Sequence, residues 1–335
     1  MAYSWPMTAA PPPLHALPAL DIDLLRRRLL RGAGGGYARV ERIESVGSTN
    51  QHLLDALAAD DAATASWPHL SVLTAEEQTG GRGRLGRVWT SPRGASLSTS
   101  IVLRPRLDPT HLGWLSMLAG RTLVDTLRED HGLDTASQRA VLKWPNDVQV
   151  TQPVGAEKKI SGILAAAVPA MAGSGPSAVV LGIGINVLLQ DTQLPTENAT
   201  SVLIELRRAA NGPVPAELGG EEAARLRTEL LCGFLERFAL RLHAVEELAS
   251  RDPEGVSVLL REQVGEVLST LGQQVRVELP HGGAERGVAR SLGPDGSLQV
   301  QVSHVRSGLE RDWTVCEPVL RSFSAGDVVH LRPSP

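Results

Sequence analysis

The spacing of apolar residues changes three times along the chain, and each change predicts a different kind of structure. ARVERIESV (38–46) alternates apolar and polar positions as a half-buried strand does, and Ser48-Thr49 then offers an N-cap to a helical run from Asn50 to Ala59. HLSVLTAEE (69–77) and SLSTSIVLRP (96–105) read as strands on either side of TGGRGRLGRVW (79–89). Helical spacing over 112–130 predicts a largely buried helix, and AVLKWPNDVQV, KISGILAAAV and SAVVLGIGINVLL read as three further strands. A loop, AANGPVPAELGG, then leads into helical zones over about 221–249 and 254–270. Strands interleaved with helices in this way make a mixed α/β domain.

The two ends differ from this body. Residues 1 to about 21 are rich in proline and alanine and read as a loosely attached or disordered arm. Asp23–Leu30 has a short helical pattern stopped by Gly32 and Gly34–Gly36. After about residue 271, QQVRVEL, GVARSL, SLQVQV and DVVHL are short alternating strands, separated by turns at His281-Gly282-Gly283, Pro294-Asp295-Gly296 and Ser324-Ala325-Gly326. That texture predicts a small antiparallel barrel. The organisation is therefore a partly disordered arm (1–38), an α/β domain (39–270) and a barrel (271–335), with no internal repeat.

Composition narrows the function classes. The 335 residues are 42% apolar and 21% charged, an ordinary globular balance. A net charge of −4 gives no overall basic field of the kind nucleic-acid binders carry, so any positive patch must be local. Two isolated cysteines, Cys232 and Cys316, make neither a disulfide framework nor a zinc site. With no signal-peptide pattern and no stretch of membrane-spanning length, the expected location is the cytoplasm, away from the membrane. The chain has no His-Glu-x-x-His, Gly-x-Ser-x-Gly, Cys-x-x-Cys or Gly-Lys-Ser/Thr P-loop signature.

What stands out is cationic. TGGRGRLGRVW holds four glycines and three arginines. Glycine costs about 0.5–1 kcal/mol per position in a regular element, which predicts a loop. Arg82, Arg84 and Arg87 on such a backbone can wrap an anion closely, since guanidinium presents a planar fork to carboxylate or phosphate; a solvated basic turn has the same composition. Lys143-Trp-Pro-Asn-Asp147 brings a cation, an amide and a carboxylate to one strand end, although taken alone it is an ordinary strand-terminating turn. Lys158 and Lys159 open KISGIL, with Gly162 where a ligand or backbone could approach. Gly182, Gly184 and Asn186 interrupt an apolar strand without forming the dinucleotide fingerprint. Such a cluster suits joining two anions.

Ser48-Thr49-Asn50, AEEQTGGRGRLGRVW (75–89), KWPND (143–147), KISGIL (159–164) and GIGINV (182–187), in this order, resemble the biotin protein ligase family over roughly residues 40–265. The resemblance implies a mixed sheet with flanking helices, akin to class II aminoacyl-tRNA synthetases, and a small C-terminal SH3-like β-barrel. It implies activation of biotin with ATP and Mg²⁺ to biotinyl-5′-AMP, then transfer to a lysine of a biotin carboxyl carrier protein. By the same resemblance Arg82, Lys143 and Lys159 serve the reacting groups. Biotin would be surrounded by Ser48, Thr49, Asn50, Gln78, Gly81, Arg82, Lys159, Gly162, Gly182 and Gly184. Arg84, Arg87, Trp89, Asn146 and Asn186 would lie along ATP and the adenylate, and Asp147 would hold Mg²⁺ through water. Residues 80–88 are expected to be mobile without ligand and to close over the adenylate. The short N-terminal segment leaves no room for the helix-turn-helix that some members carry, so no specific DNA is expected; a homodimer is compatible with the resemblance. Two rival readings are a lipoate or octanoate ligase or transferase of the same fold, and a noncatalytic module gripping RNA or phosphorylated partners.

Overall fold

The computed structural model describes residues 17–30, 36–59, 66–169, 176–209, 218, 220–279, 282–308, 312–324 and 326–331. Eight strands form the main sheet: β1 (Arg39–Val46), β2 (Ser71–Arg82), β3 (Val88–Ser91), β4 (Ser96–Leu103), β5 (Ala140–Lys143), β6 (Asp147–Val150), β7 (Lys158–Pro169) and β8 (Pro176–Asn186). Their order is β1-β2-β4-β8-β7-β6-β5, with β3 paired to the end of β2. β1 and β2 run parallel and the other pairs antiparallel, which makes the mixed sheet.

Among the described residues six helices accompany it: α1 (Ile22–Leu29), α2 (Thr49–Ala59), α3 (Trp114–Glu129), α4 (Val202–Ala209), α5 (Gly220–Arg251) and α6 (Pro253–Gly265). α3 and α5 cover one sheet face, where Leu115, Leu118, Phe234 and Phe238 join Ile163, Leu181 and Ile183 in the main core. Each such side chain contributes about 1.5–3 kcal/mol on burial. On the opposite face α2 covers the sheet at one end, setting Leu53 against Leu73, Val102 and Val180. Beyond α2, toward β6 and β5, the same face carries a cavity. No described helix is long and apolar enough to cross a membrane.

Several expectations change. AVLKWPNDVQV is a hairpin, β5 to β6, rather than one strand, because the turn at Trp144–Asn146, with a cis Trp144–Pro145 peptide, reverses the chain and pairs Lys143 with Asp147. The glycine-rich segment is only partly a loop: Thr79–Arg82 continue β2, and a short 3₁₀ turn (Arg84–Gly86) leads back into β3. Glycine is needed there because a Cβ on Gly81 would lie 2.5 Å from the Trp89 carbonyl oxygen. Residues 1–16 of the expected arm lie outside the described residues, but Leu20, Leu25 and Leu29 are buried in the main core. The Leu20 N–H donates to Glu76 Oε1 at 2.8 Å, and Glu76 pairs with the sealed Arg227 guanidinium at 2.6 Å.

The C-terminal strands are β9 (Gln274–Glu278), β10 (Ala284–Leu292), β11 (Leu298–Arg306), β12 (Thr314–Phe323) and β13 (Asp327–His330), in the order β12-β11-β10-β9-β13. Among the described residues no pairing joins β12 to β13, so this antiparallel sheet is open rather than closed into a barrel. β12 was not foreseen. It is an edge strand exposed along almost its whole length and holding Pro318, so it lacks the alternation that reveals a half-buried strand. The turn at Pro294–Gly296 appears as expected, with Gly296 at φ +84°; His281 and Ala325 of the other two turns lie outside the described residues. Two indoles dock this sheet on the α/β body: Trp114 Nε1 donates to the Pro294 carbonyl (2.8 Å) and Trp144 Nε1 to that of Gly296 (3.1 Å).

Candidate functional site

The α2 face of the sheet holds a cavity of about 480 Å³ that runs from β2 across β4, β8 and β7 to the β5–β6 hairpin. At about 4.8 Å between strands, that path from Gln78 to Asp147 is about 19 Å long. Of the residues singled out in the sequence for the site, all except Gly81 and Lys158 line it; Gly81 instead supports the hairpin from within.

The β2 end is polar and mostly uncharged. Ser48 caps α2, its hydroxyl 3.4 Å from the Gln51 N–H it accepts. That start places the Thr49 N–H and hydroxyl, which donate to Gln78 Oε1 at 2.8 and 3.0 Å. Ser100 Oγ lies 2.7 Å from Thr49 Oγ1 and 2.6 Å from Asn50 Oδ1, while Asn50 Nδ2 donates to the Leu164 carbonyl at 3.0 Å. Ser100 was missed in the sequence, yet a signal existed: β4 is buried at every position and still carries Ser96, Ser98, Thr99 and Ser100.

The centre is built by glycines. Gly162 and Gly184 face each other on β7 and β8, and the Trp89 indole lies across both. A Cβ on Gly184 would meet that ring at 2.6 Å and one on Gly162 at 3.2 Å; on Gly182 it would clash with the Asn50 carboxamide. These glycines therefore accommodate protein side chains, not only ligand as expected. Trp89, expected along the nucleotide, sits midway, with Nε1 buried and without a hydrogen-bond partner.

The far end is ionic. Lys159 Nζ pairs with Asp147 Oδ1 at 2.6 Å and lies 5.6 Å from the Trp89 ring centroid. Asn146 Nδ2 donates to the Ile163 carbonyl at 2.5 Å, and its Oδ1 accepts from Arg84 Nη1 at 3.4 Å. Arg82, Arg87 and Lys143 line the same cavity. Asn186, expected on the adenylate, donates from Nδ2 to the Thr200 carbonyl at 3.0 Å and so steadies the wall at Asn198–Thr200. That wall pairs with Lys159, whose N–H donates to the Asn198 carbonyl and whose carbonyl accepts from the Thr200 N–H, both at 2.8 Å. Gln149, Thr196, Val328 and Val329 also line the cavity and carry no local motif. Among the described residues Asp147 is the one carboxylate on the lining, and no group of three His, Cys, Asp or Glu side chains could hold a metal ion.

An uncharged polar end, an aromatic shelf and a cationic end on one sheet face can hold a two-part ligand with its anions drawn together. Residues 43–186 match the biotin/lipoate A/B protein ligase family. The biotin–[acetyl-CoA-carboxylase] ligase of Mycobacterium tuberculosis is 34% identical over 321 residues, covering 94% of this chain and 97% of that protein. The bifunctional ligase/repressor BirA of Escherichia coli is 32% identical over 179 residues, 52% of this chain and 48% of that protein. Among solved structures, an Aquifex aeolicus biotin protein ligase in complex with biotin and ATP has the same fold at a TM-score of 0.57 and 22% identity, covering 89% of this chain and 100% of that one. An alignment at 34% identity over nearly the full length of a biotin ligase, on this fold and with these motifs converging on one cavity, means that the chain belongs to the biotin protein ligase family.

Proposed function

We propose that this protein activates biotin with ATP and passes the biotinyl group to a lysine of a biotin carboxyl carrier protein. The observation that carries the reading is the cavity itself, polar at Thr49–Gln78 and cationic at Lys159, Lys143 and Arg82. The polar end suits the ureido ring of biotin, which has both donors and acceptors; the apolar dithiolane of lipoate would leave Thr49 and Gln78 without a ligand partner. Biotin laid from there points its carboxylate toward the far end, where ATP brings its α-phosphate.

In the first step a carboxylate oxygen attacks the α-phosphorus, a P–O bond to pyrophosphate breaks, and the mixed anhydride forms. Holding two anions in attack geometry is worth about 7–11 kcal/mol of barrier. Arg82 and Lys159 bind the reacting carboxylate and phosphate, and Lys143 offsets charge that builds on the phosphate oxygens. Arg84, Arg87 and Asn146 hold the nucleotide side. Lys159 is held by Asp147 at 2.6 Å, a pair that a phosphate can replace. Asp147, the carboxylate on the lining, would hold a Mg²⁺ through water, the mode usual for an ion that keeps its waters and binds through one carboxylate plus phosphates, and that ion would offset charge on the phosphate oxygens. In the second step a neutral carrier amine attacks the anhydride carbonyl and AMP leaves, with the 79–89 hairpin excluding water.

ATP–pyrophosphate exchange measured with biotin, with lipoate and with neither tests the reading. Exchange stimulated by biotin alone is expected; stimulation by lipoate alone would transfer the chain to the other branch, and no stimulation would leave a binding module. Arg82→Ala should keep the fold and release the adenylate faster, measured by filter retention of labelled biotinyl-AMP.

A further inference from the structure

Thr270 belongs to no motif in the sequence, yet its side chain is fully buried directly behind the Lys143–Asp147 turn. After α6 the chain lies along the free edge of β5: Leu142 N–H donates to the Val267 carbonyl and Ser269 N–H to the Leu142 carbonyl, both at 2.8 Å. Leu268 forms a parallel bridge with Leu142. The next N–H on this edge, that of Trp144, goes to a side chain, donating to Thr270 Oγ1 at 3.0 Å. That N–H belongs to the peptide joining Lys143 to Trp144. The same hydroxyl lies 3.2 Å from His330 Nε2, at the end of β13 and beside Val328 and Val329 of the cavity wall. One hydroxyl can accept from the peptide while it donates to or accepts from the imidazole.

We propose that Thr270 is a positioning residue for Lys143, fixing the 143–144 peptide between the linker and the C-terminal sheet; this rests on the ligase reading above. The peptide plane sets the direction in which Lys143 leaves the backbone, and a misplacement of about 1 Å at a reacting group can cost about a hundredfold in rate. A hydroxyl is suited to the place because it meets the N–H at a turn where the strand ladder has ended. Without it, the peptide keeps its volume around it but loses its anchor.

The test is a cycle of Thr270→Val, Lys143→Ala and the double variant in biotin-dependent exchange. Thr270→Val should lower kcat about tenfold with the KM for biotin within about twofold, and Thr270→Ser should restore wild-type kcat within about twofold. In the Lys143→Ala background Thr270→Val should cost less than about twofold, because the group it positions is gone. Tyr37→Phe, which removes a buried hydroxyl that donates to the Leu235 carbonyl at 2.9 Å away from the cavity, is the stability control and should keep kcat. Equal, additive losses in both backgrounds, or an unchanged kcat in folded Thr270→Val, overturn the proposal. If Thr270→Val does not fold, His330→Ala carries the same cycle, with about a threefold loss expected only when Lys143 is present and additivity again overturning it. Wild-type exchange activity tests the ligase reading separately from these ratios.

Discussion

Arg227 and Glu76 meet at 2.6 Å with side chains 0% and 2% exposed; Lys159 and Asp147 meet at the same 2.6 Å with side chains 34% and 24% exposed. Distance does not separate the two pairs, but surroundings do. Glu76 also accepts the Leu20 N–H, and Arg227 reaches the carbonyls of Pro18 and Ser96, so this pair is enclosed by backbone from three parts of the chain. Arg42 Nη1 also approaches Glu76 Oε1 at 3.5 Å, but no other described carboxylate pairs with Arg227, so separating the two leaves its charge unpaired in the interior. The Lys159 pair borders the cavity, where water screens it and its net worth is about 0–1 kcal/mol. Weak coupling is what a ligand-binding cation needs, because a phosphate must be able to take the place of the carboxylate.

The largest effect that could break this contrast is expected at the sealed pair. Arg227→Met should destabilise the fold by about 3–5 kcal/mol in urea titration, by leaving the buried Glu76 carboxylate only the more distant Arg42 guanidinium at 3.5 Å, while the molecules that remain folded keep their exchange rate. A loss below about 1 kcal/mol would show that the interior there is wetter than the contacts imply. Lys159→Ala should do the reverse: adenylate formation slower by about a hundredfold, about 2.7 kcal/mol of barrier, with stability within about 1 kcal/mol of wild type. Equal losses of stability in the two variants would erase the distinction.

A smaller effect tests the shelf between the two ends of the cavity. Gly184→Ala places a methyl 2.6 Å from the Trp89 ring and should cost about 1–3 kcal/mol of local overpacking, read as a raised KM for biotin. Gly265→Ala, where a Cβ meets nothing within 4 Å, should leave KM and stability nearly unchanged. At neutral pH the smallest effect concerns the thiols. Burial pushes the Cys232 thiol up to about 12, so at pH 8 its reactive thiolate is scarce. Cys316 is half-buried on β12 and should react first with a thiol reagent, with Cys232 following only on unfolding. Stability should accordingly decline as pH rises from about 9, the ordinary thiol value, toward 12, because the unfolded chain ionises Cys232 more readily.

Much of the site was legible in the chain because its parts are local: a cap at Ser48-Thr49, glycines where side chains cross, cations at strand ends. Long helices and alternating strands declared themselves by period for the same reason. β12 did not, since an edge strand wet on both faces has no alternation to show. Nor did the pairing of Glu76 with Arg227, which are 151 residues apart, or of Trp144 with Thr270, 126 apart. Such partners are chosen by which backbones the packed sheets bring together.

By itself, then, the sequence determined the kinds of group available and the elements that carry them, through spacing, capping and the conformational cost of glycine. Only the tertiary structure decided that Trp89 lies over Gly162 and Gly184, that Asn186 holds the Asn198–Thr200 wall, and that the C-terminal sheet touches the Lys143 turn. Period and composition act over a few residues, whereas burial and partner choice depend on the whole chain folding at once.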